Sequence, residues 1–169
     1  MDNIKSTYSN ELINDKDLNL DYEGTPRSMI KLAVTDEEIK ACFDVMIQLR
    51  HHLKKKSFVS EIRNLMVEGY KLAFLKNKNS VLAIAGFRIS RNLSLGKYLY
   101  IDDLVTSEDV RSQGAGKQML DWIALFAKRN ECSFIHLNSD VQQNKAHRFY
   151  LNQRMNIVSY HFVSNLLIA

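Results

Sequence analysis

Residues 100–117 read YIDDLVTSEDVRSQGAGK. The opening seven are mostly aromatic, apolar or β-branched and read as a strand, with two adjacent aspartates, Asp102 and Asp103, set into it. A polar loop follows. Arg111-Ser112-Gln113-Gly114-Ala115-Gly116-Lys117 then leads into a segment where Met119, Leu120, Ile123, Phe126 and Ala127 share one helical face. Glycines let a backbone turn tightly and come close to a ligand. A helix start offers unpaired N–H groups and the positive end of its dipole. Together these make an anion site fitted to a pyrophosphate, with Arg111 and Lys117 adding charge nearby. A plain tight turn has the same spelling, so the glycine pair alone does not decide. Two other phosphate loops are excluded: there is no G-x-x-x-x-G-K-[ST], and no G-x-G-x-x-G with a downstream ribose acid.

Around this stretch the chain alternates short elements. Residues 29–34 predict a strand, and Thr35-Asp36-Glu37-Glu38 spells a capping box opening a helix that runs to about Leu49. A basic stretch, residues 50–56, separates it from a second helix with Ser57 as N-cap and Gly69 as its C′ residue. Residues 70–75 and 80–89 predict a hairpin, and residues 97–106 a third long strand. A helix over 115–129, a strand over 133–137, a helix over 144–151 and a final strand over 157–163 complete the order β-α-α-β-β-β-α-β-α-β. Hairpins followed by a β-α-β unit predict an α/β (α+β) fold with a mixed, mostly antiparallel sheet and helices on its faces. Residues 1–27 read as a polar tail and 28–169 as one domain.

Composition narrows the class. The chain has 169 residues, 46% of them hydrophobic and 25% charged, which is ordinary for one globular domain. Residues 1–27 hold three Lys/Arg against six Asp/Glu, net −3, and the remainder carries +7. A basic body suits a phosphorylated cofactor, an anionic substrate or nucleic acid, but no stacking motif or helix-turn-helix supports nucleic acid. No apolar run is long enough for a membrane span. The N-terminus has no apolar h-region, so a cytoplasmic location is expected. Cys42 and Cys132 form neither a disulfide framework nor a metal set, and both read as small core residues. Trp122 also reads as core. Gly86, inside a predicted strand, implies a bulge or a close backbone contact.

The chain resembles the GNAT-type N-acetyltransferases, which move an acetyl group from acetyl-coenzyme A to an amine. The family pattern [QR]-x-x-G-x-[GA] is matched by Arg111–Gly116 after Leu104-Val105-Thr106, and its Asn…Ala…aromatic-Tyr pattern by Asn144, Ala146, Phe149 and Tyr150. The likeness covers about residues 29–163. It implies a six- to seven-stranded sheet whose fourth and fifth strands splay apart around the cofactor. Backbone groups of Leu104, Val105 and Thr106 are then expected to bond the pantetheine, and Asn144 to contact it. Amides of Arg111, Ser112, Gln113, Gly114, Ala115, Gly116 and Lys117 are expected to hold the pyrophosphate. No metal is implied. The partner implied is an amine acceptor, bound between the first two helices and the last strands. Many relatives are dimers, which leaves a homodimer open, although no stretch marks an interface.

The chemistry sets the roles. An amine is protonated near neutrality and needs a base before it attacks, and the departing thiolate benefits from an acid. The carbonyl oxygen needs a donor, expected from the N–H of Leu104 or Val105. The resemblance makes Asp102 the base, acting through water, with Asp103 the alternative. On a regular strand these neighbours face opposite sides of the sheet. Tyr150 matches the family's general acid, though Ala146, Phe149 and Tyr150 also share one helix face, as core residues do. His51 and His52 lie where acceptors bind, or in a solvated loop. His136, His147 and His161 read as structural. Arg154-Met155 stands where the family usually has Gly-Phe, and with Asp where Glu is common this leaves a second reading, a non-catalytic acyl-coenzyme A-binding module.

Overall fold

The computed structural model describes residues 29–78 and 80–166. The polar tail expected over 1–27 lies outside them.

Five strands form one sheet in the order β1-β2-β3-β4-β5: β1 Met29–Leu32, β2 Lys71–Lys76, β3 Val81–Asn92, β4 Gly96–Thr106 and β5 Phe134–Leu137. The first four pair antiparallel, and β5 runs parallel to β4. The parallel step needs a crossover, which α4 (Ala115–Arg129) supplies.

The expected capping box is present. Thr35 and Glu38 exchange side-chain-to-backbone bonds at the start of α1 (Asp36–Ala41), and Glu38 also takes the Lys31 ammonium. The single helix expected over 35–49 is divided: α1 ends at Cys42 and α2 spans Phe43–Met46. α3 follows as Phe58–Val67, and Gly69 after it has φ +89, the left-handed C′ conformation. Ser57 occupies the N-cap of α3 but bonds back to Lys54 O rather than into the helix.

Two hydrophobic clusters cover the two faces. On one, α4 lays Met119, Trp122, Ile123 and Phe126 on Ala73, Ala85, Phe87, Leu99 and Ile101. Trp122 is buried and stacks on Phe126 at 5.4 Å. On the other, α1–α3 lay Ile39, Cys42, Phe43, Met46, Phe58 and Ile62 on Leu72, Phe74, Ile84 and Val105. Burial pushes the Cys42 thiol up to about 12, so it is an inert core residue. Cys132 is half-buried.

The last expected strand is not formed. α5 spans Asn144–Asn152, after which residues 155–165 are in no regular element and 157–166 are exposed. The described sheet therefore has five strands, not six or seven. Alternating apolar residues make a strand only where a neighbour accepts their backbone bonds, and among the described residues no backbone group bonds to the backbone of residues 157–163. Arg154, where a glycine is usual, takes φ +62, and Met155 packs on the α4 cluster.

Candidate active site

The site is organised by one irregularity in β4. Gly86 of β3 pairs with Asp103 and Phe87 pairs with Ile101, so Asp102 is an extra residue, a β-bulge. Below the bulge, Leu99 and Ile101 face α4. Above it, Leu104 faces α4 and Val105 faces the α1–α3 cluster. The two-residue alternation has changed parity.

This overturns the expectation that Asp102 and Asp103 face opposite sides. Both line a cavity of about 400 Å³ between α2, α3 and the sheet, together with Arg50, His52, Tyr70 and Arg88. The extra residue turns the strand so that neighbours share a face.

The two carboxylates are nevertheless held differently. Asp103 is 10% exposed, and both its oxygens are engaged: Arg50 Nε donates to Oδ1 at 2.7 Å and the Tyr70 hydroxyl to Oδ2 at 2.8 Å. Burial, then the Asp103 charge, push the Tyr70 hydroxyl upward, so it stays a donor. Gly86 makes this contact possible. A Cβ there would overlap the Tyr70 hydroxyl and lie 2.7 Å from Asp103 Oδ2. Arg50 also donates from Nη2 to the Asp102 carbonyl at 3.0 Å, so one guanidinium clasps both residues of the bulge. Asp102 is 26% exposed and takes Arg88 Nε on Oδ2 at 2.9 Å. Its Oδ1 accepts no hydrogen bond among the described residues. The bond to Asp102 is the main reason the Arg88 guanidinium is held more firmly protonated than usual.

The bulge is also where β4 and β5 part. Their parallel register runs from Tyr98↔Phe134 to Ile101↔Leu137 and stops. Residues 103–106 stay paired to β3, but no described strand lies on their other side. The expected splay thus falls beside Leu104, Val105 and Thr106, and it leaves that backbone edge open.

Past β4, a 3-10 turn over Glu108–Val110 leads into the glycine loop. Gly114, at the N-cap of α4, has φ +87, and no atom lies within 4 Å of where a Cβ would stand. Ser112 also takes a left-handed φ of +65. The first intrahelical bond is Gln118 N to Gly114 O at 3.0 Å, so the amides of Ala115, Gly116 and Lys117 lie ahead of the ladder. Gly116 serves differently: a Cβ would stand 3.1 Å from Thr106 Oγ1 and 3.6 Å from Phe149 Cζ, so its smallness lets β4, α4 and α5 meet. The loop's two cations pair locally, Arg111 with Glu108 at 3.2 Å and Lys117 with Asp121 at 2.6 Å. Gln113 donates its amide to Val110 O.

Asn144 and Tyr150 both lie on α5. Asn144 is its exposed first residue. Tyr150 is half-buried beside Phe149, and burial raises its hydroxyl above the usual phenol value. Tyr150 is not among the residues lining the Asp102–Asp103 cavity. Of the histidines, only His52 lines it. Sequence reasoning missed Arg50, Tyr70 and Arg88. The available signals were Gly86, an unexplained strand glycine, and the arginine that opens the basic stretch.

A bulged strand parting from its parallel neighbour above a glycine-capped helix agrees with the arrangement that the GNAT resemblance implies. The chain belongs to the Acetyltransferase (GNAT) family, whose model matches residues 40–155. It is 30% identical over 135 residues to Uncharacterized N-acetyltransferase YhdJ of Bacillus subtilis (strain 168), covering 79% of this chain and 95% of that one. Its fold is similar to that of a transcriptional regulator from Bacillus halodurans C-125, with TM-score 0.72, 20% identity, and 83% of this chain and 100% of the other covered. It is likewise similar to glucosamine-6-phosphate N-acetyltransferase from Arabidopsis thaliana, with TM-score 0.67, 18% identity, and 83% and 99% covered. At such identity the likeness is one of fold, and one fold hosts several functions. Among the described residues no helix is long and apolar enough to cross a membrane, and no group of three or more His, Cys, Asp or Glu is arranged to hold a metal ion.

Proposed function

We propose that this chain transfers an acetyl group from acetyl-coenzyme A to a primary amine of a small molecule or protein by direct attack in a ternary complex. The residues present fit that co-substrate. The open β4 edge at Leu104, Val105 and Thr106 suits the pantetheine, and Asn144, the exposed first residue of α5, is the side chain assigned to contact it. The uncapped amides after Gly114, with open space where a side chain would stand, suit the pyrophosphate. Because Arg111 and Lys117 are paired, backbone amides and the helix dipole carry this role more than side-chain charge. Bound acetyl-coenzyme A supplies the acetyl group as an activated thioester.

The observation that carries the mechanism is the contrast between the two aspartates. Asp102 keeps one oxygen without a partner in the cavity, and Asp103 has none to spare. Asp102 is therefore the base that takes the amine proton. Its short side chain favours relay through a water. Asp103, fixed by Tyr70 and Arg50, holds the bulge in shape. The N–H of Leu104 or Val105 faces the charge that develops on the carbonyl oxygen. Tyr150, kept protonated by its surroundings, gives a proton to the departing thiolate.

The test is release of free thiol from acetyl-coenzyme A across a panel of amines, with affinity measured by calorimetry. Turnover that falls in Asp102→Asn at unchanged cofactor affinity supports the assignment. Binding without turnover on any amine turns the reading to a non-catalytic acyl-coenzyme A-binding module. No binding of coenzyme A removes both.

A further inference from the structure

The cavity that holds the two aspartates also holds a cation with donors to spare. Arg88 donates from Nε to Asp102 Oδ2 at 2.9 Å, and its Cζ lies 5.8 Å from the centroid of the Tyr70 ring. These two contacts hold the guanidinium in place without using its terminal nitrogens. Among the described residues, Nη1 and Nη2 of Arg88 make no hydrogen bond, although the side chain is only 28% exposed. A half-buried fork of N–H donors without acceptors has lost hydration that a ligand can replace. Arg50, the other arginine of the cavity, is committed differently: its Nε and Nη2 both hold the bulge.

The Arg88–Asp102 pair is thus joined by a single hydrogen bond and open at both ends. Asp102 Oδ1 is a free acceptor at one end, and the Arg88 terminal nitrogens are free donors at the other. An ion pair open in this way matches a molecule that carries the same two charges in reverse, an ammonium beside a carboxylate. The α2–α3 side of the cavity is lined by Met46, Phe58 and Ile62, all buried, and by Leu53 and Leu65, half-buried. That wall suits an apolar side chain.

We infer that the amine acceptor is a free α-amino acid with a large apolar side chain, its amine meeting Asp102, its carboxylate the terminal nitrogens of Arg88, and its side chain the apolar wall. This rests on the acetyl transfer proposed above and names the acceptor that the transfer takes. The amine nitrogen bonds the acetyl carbonyl carbon as the thioester C–S bond breaks. Of the two protons the ammonium loses, one leaves through Asp102 to solvent and one ends on the coenzyme A thiol. The products are an N-acetyl amino acid, coenzyme A and one proton. A peptide N-terminus or a lysine side chain in a protein has no carboxylate beside its amine and leaves the Arg88 fork unmet. A polyamine leaves it unmet as well and has only the exposed Glu61 of the cavity lining for its second charge.

The test compares free acids with the same amines lacking the carboxylate charge. Thiol release from acetyl-coenzyme A is measured with L-leucine and L-phenylalanine, with their amides, with isoamylamine and phenethylamine, and with spermidine. The free acids are expected to show kcat/KM roughly 10- to 100-fold above their amides. In Arg88→Lys, which can still pair with Asp102 but offers no fork, that ratio is expected to fall toward one, mainly through KM. Calorimetry on the chain holding coenzyme A gives a readout without turnover: L-leucine is expected to bind more tightly than leucinamide, and Arg88→Lys to remove the difference. Equal or faster turnover of an amide, a decarboxylated amine or spermidine overturns the inference and leaves the reaction standing. Turnover of no amine removes the reaction itself, and this inference with it. The wild-type comparison decides between these outcomes even where Arg88→Lys does not fold.

Discussion

The two halves of β4 make different use of one strand. Residues 98–101 are paired on both sides, to β3 and β5, and their side chains alternate regularly between the two faces. Residues 103–106 are paired on one side only, and the bulged Asp102 before them breaks the alternation. The lower half is scaffold: Leu99 and Ile101 are buried under α4. The upper half carries two aspartates on one face and an open backbone edge on its flank. The proposed site falls where the regular ladder stops, because there carboxylates and amides are left for something other than the sheet.

Five variants bear on that contrast, and a sixth serves as a remote control. The largest effect is expected from Asp102→Asn in the upper half, which should lower kcat by roughly 10²–10⁴-fold with coenzyme A affinity retained. Asp103→Asn should act mainly on stability, so equal kcat losses from both variants would erase the distinction drawn between them. Next is Gly114→Val. A β-branched residue at φ +87 costs about 1–3 kcal/mol of local strain, so the loop should rearrange and coenzyme A binding weaken by roughly tenfold or more, with the melting transition lowered by about 2–4 °C per kcal/mol of strain retained. Unchanged affinity by calorimetry would remove the pyrophosphate role from this loop.

Smaller changes probe what holds the bulge. Gly86→Ala forces Tyr70 off Asp103 and should cost about 1–3 kcal/mol in denaturant unfolding, with turnover falling as the bulge distorts. Tyr70→Phe removes only the donor and should lie at the low end of that range. The smallest effect belongs to a region remote from β4. Glu38 is held below its ordinary value although burial opposes this, because Lys31 and the Val34 and Thr35 amides favour the carboxylate. A lowered folded value means its stabilisation is complete above the ordinary carboxylate value of about 4.3 and fades as pH falls through the lower one. Glu38→Gln should therefore cost about 1 kcal/mol near neutrality and nearly nothing in strong acid, with no effect on catalysis.

The elements were largely legible in the chain. Thr35 and Glu38 announced a helix start, Gly69 a helix end, and the stripe from Met119 to Ala127 the crossover helix, because capping and amphipathic spacing act between near neighbours. Two things were misread for one reason. Alternation predicted that Asp102 and Asp103 face apart and that residues 157–163 form a strand, but whether a strand is regular, bulged or formed at all depends on its neighbour. Gly86 and Tyr70 make the first decision from positions distant in sequence, and no described strand pairs with the second segment.

The sequence by itself thus determined the element order from β1 to α5 apart from the division of the first helix, the glycine loop, the family and the two candidate aspartates, all of them properties of local spacing. Tertiary structure alone decided which aspartate keeps a free oxygen, where β4 and β5 part, and that Arg50 and Tyr70 belong to the site. Those depend on contacts across 33 to 53 residues of chain, which no local pattern encodes.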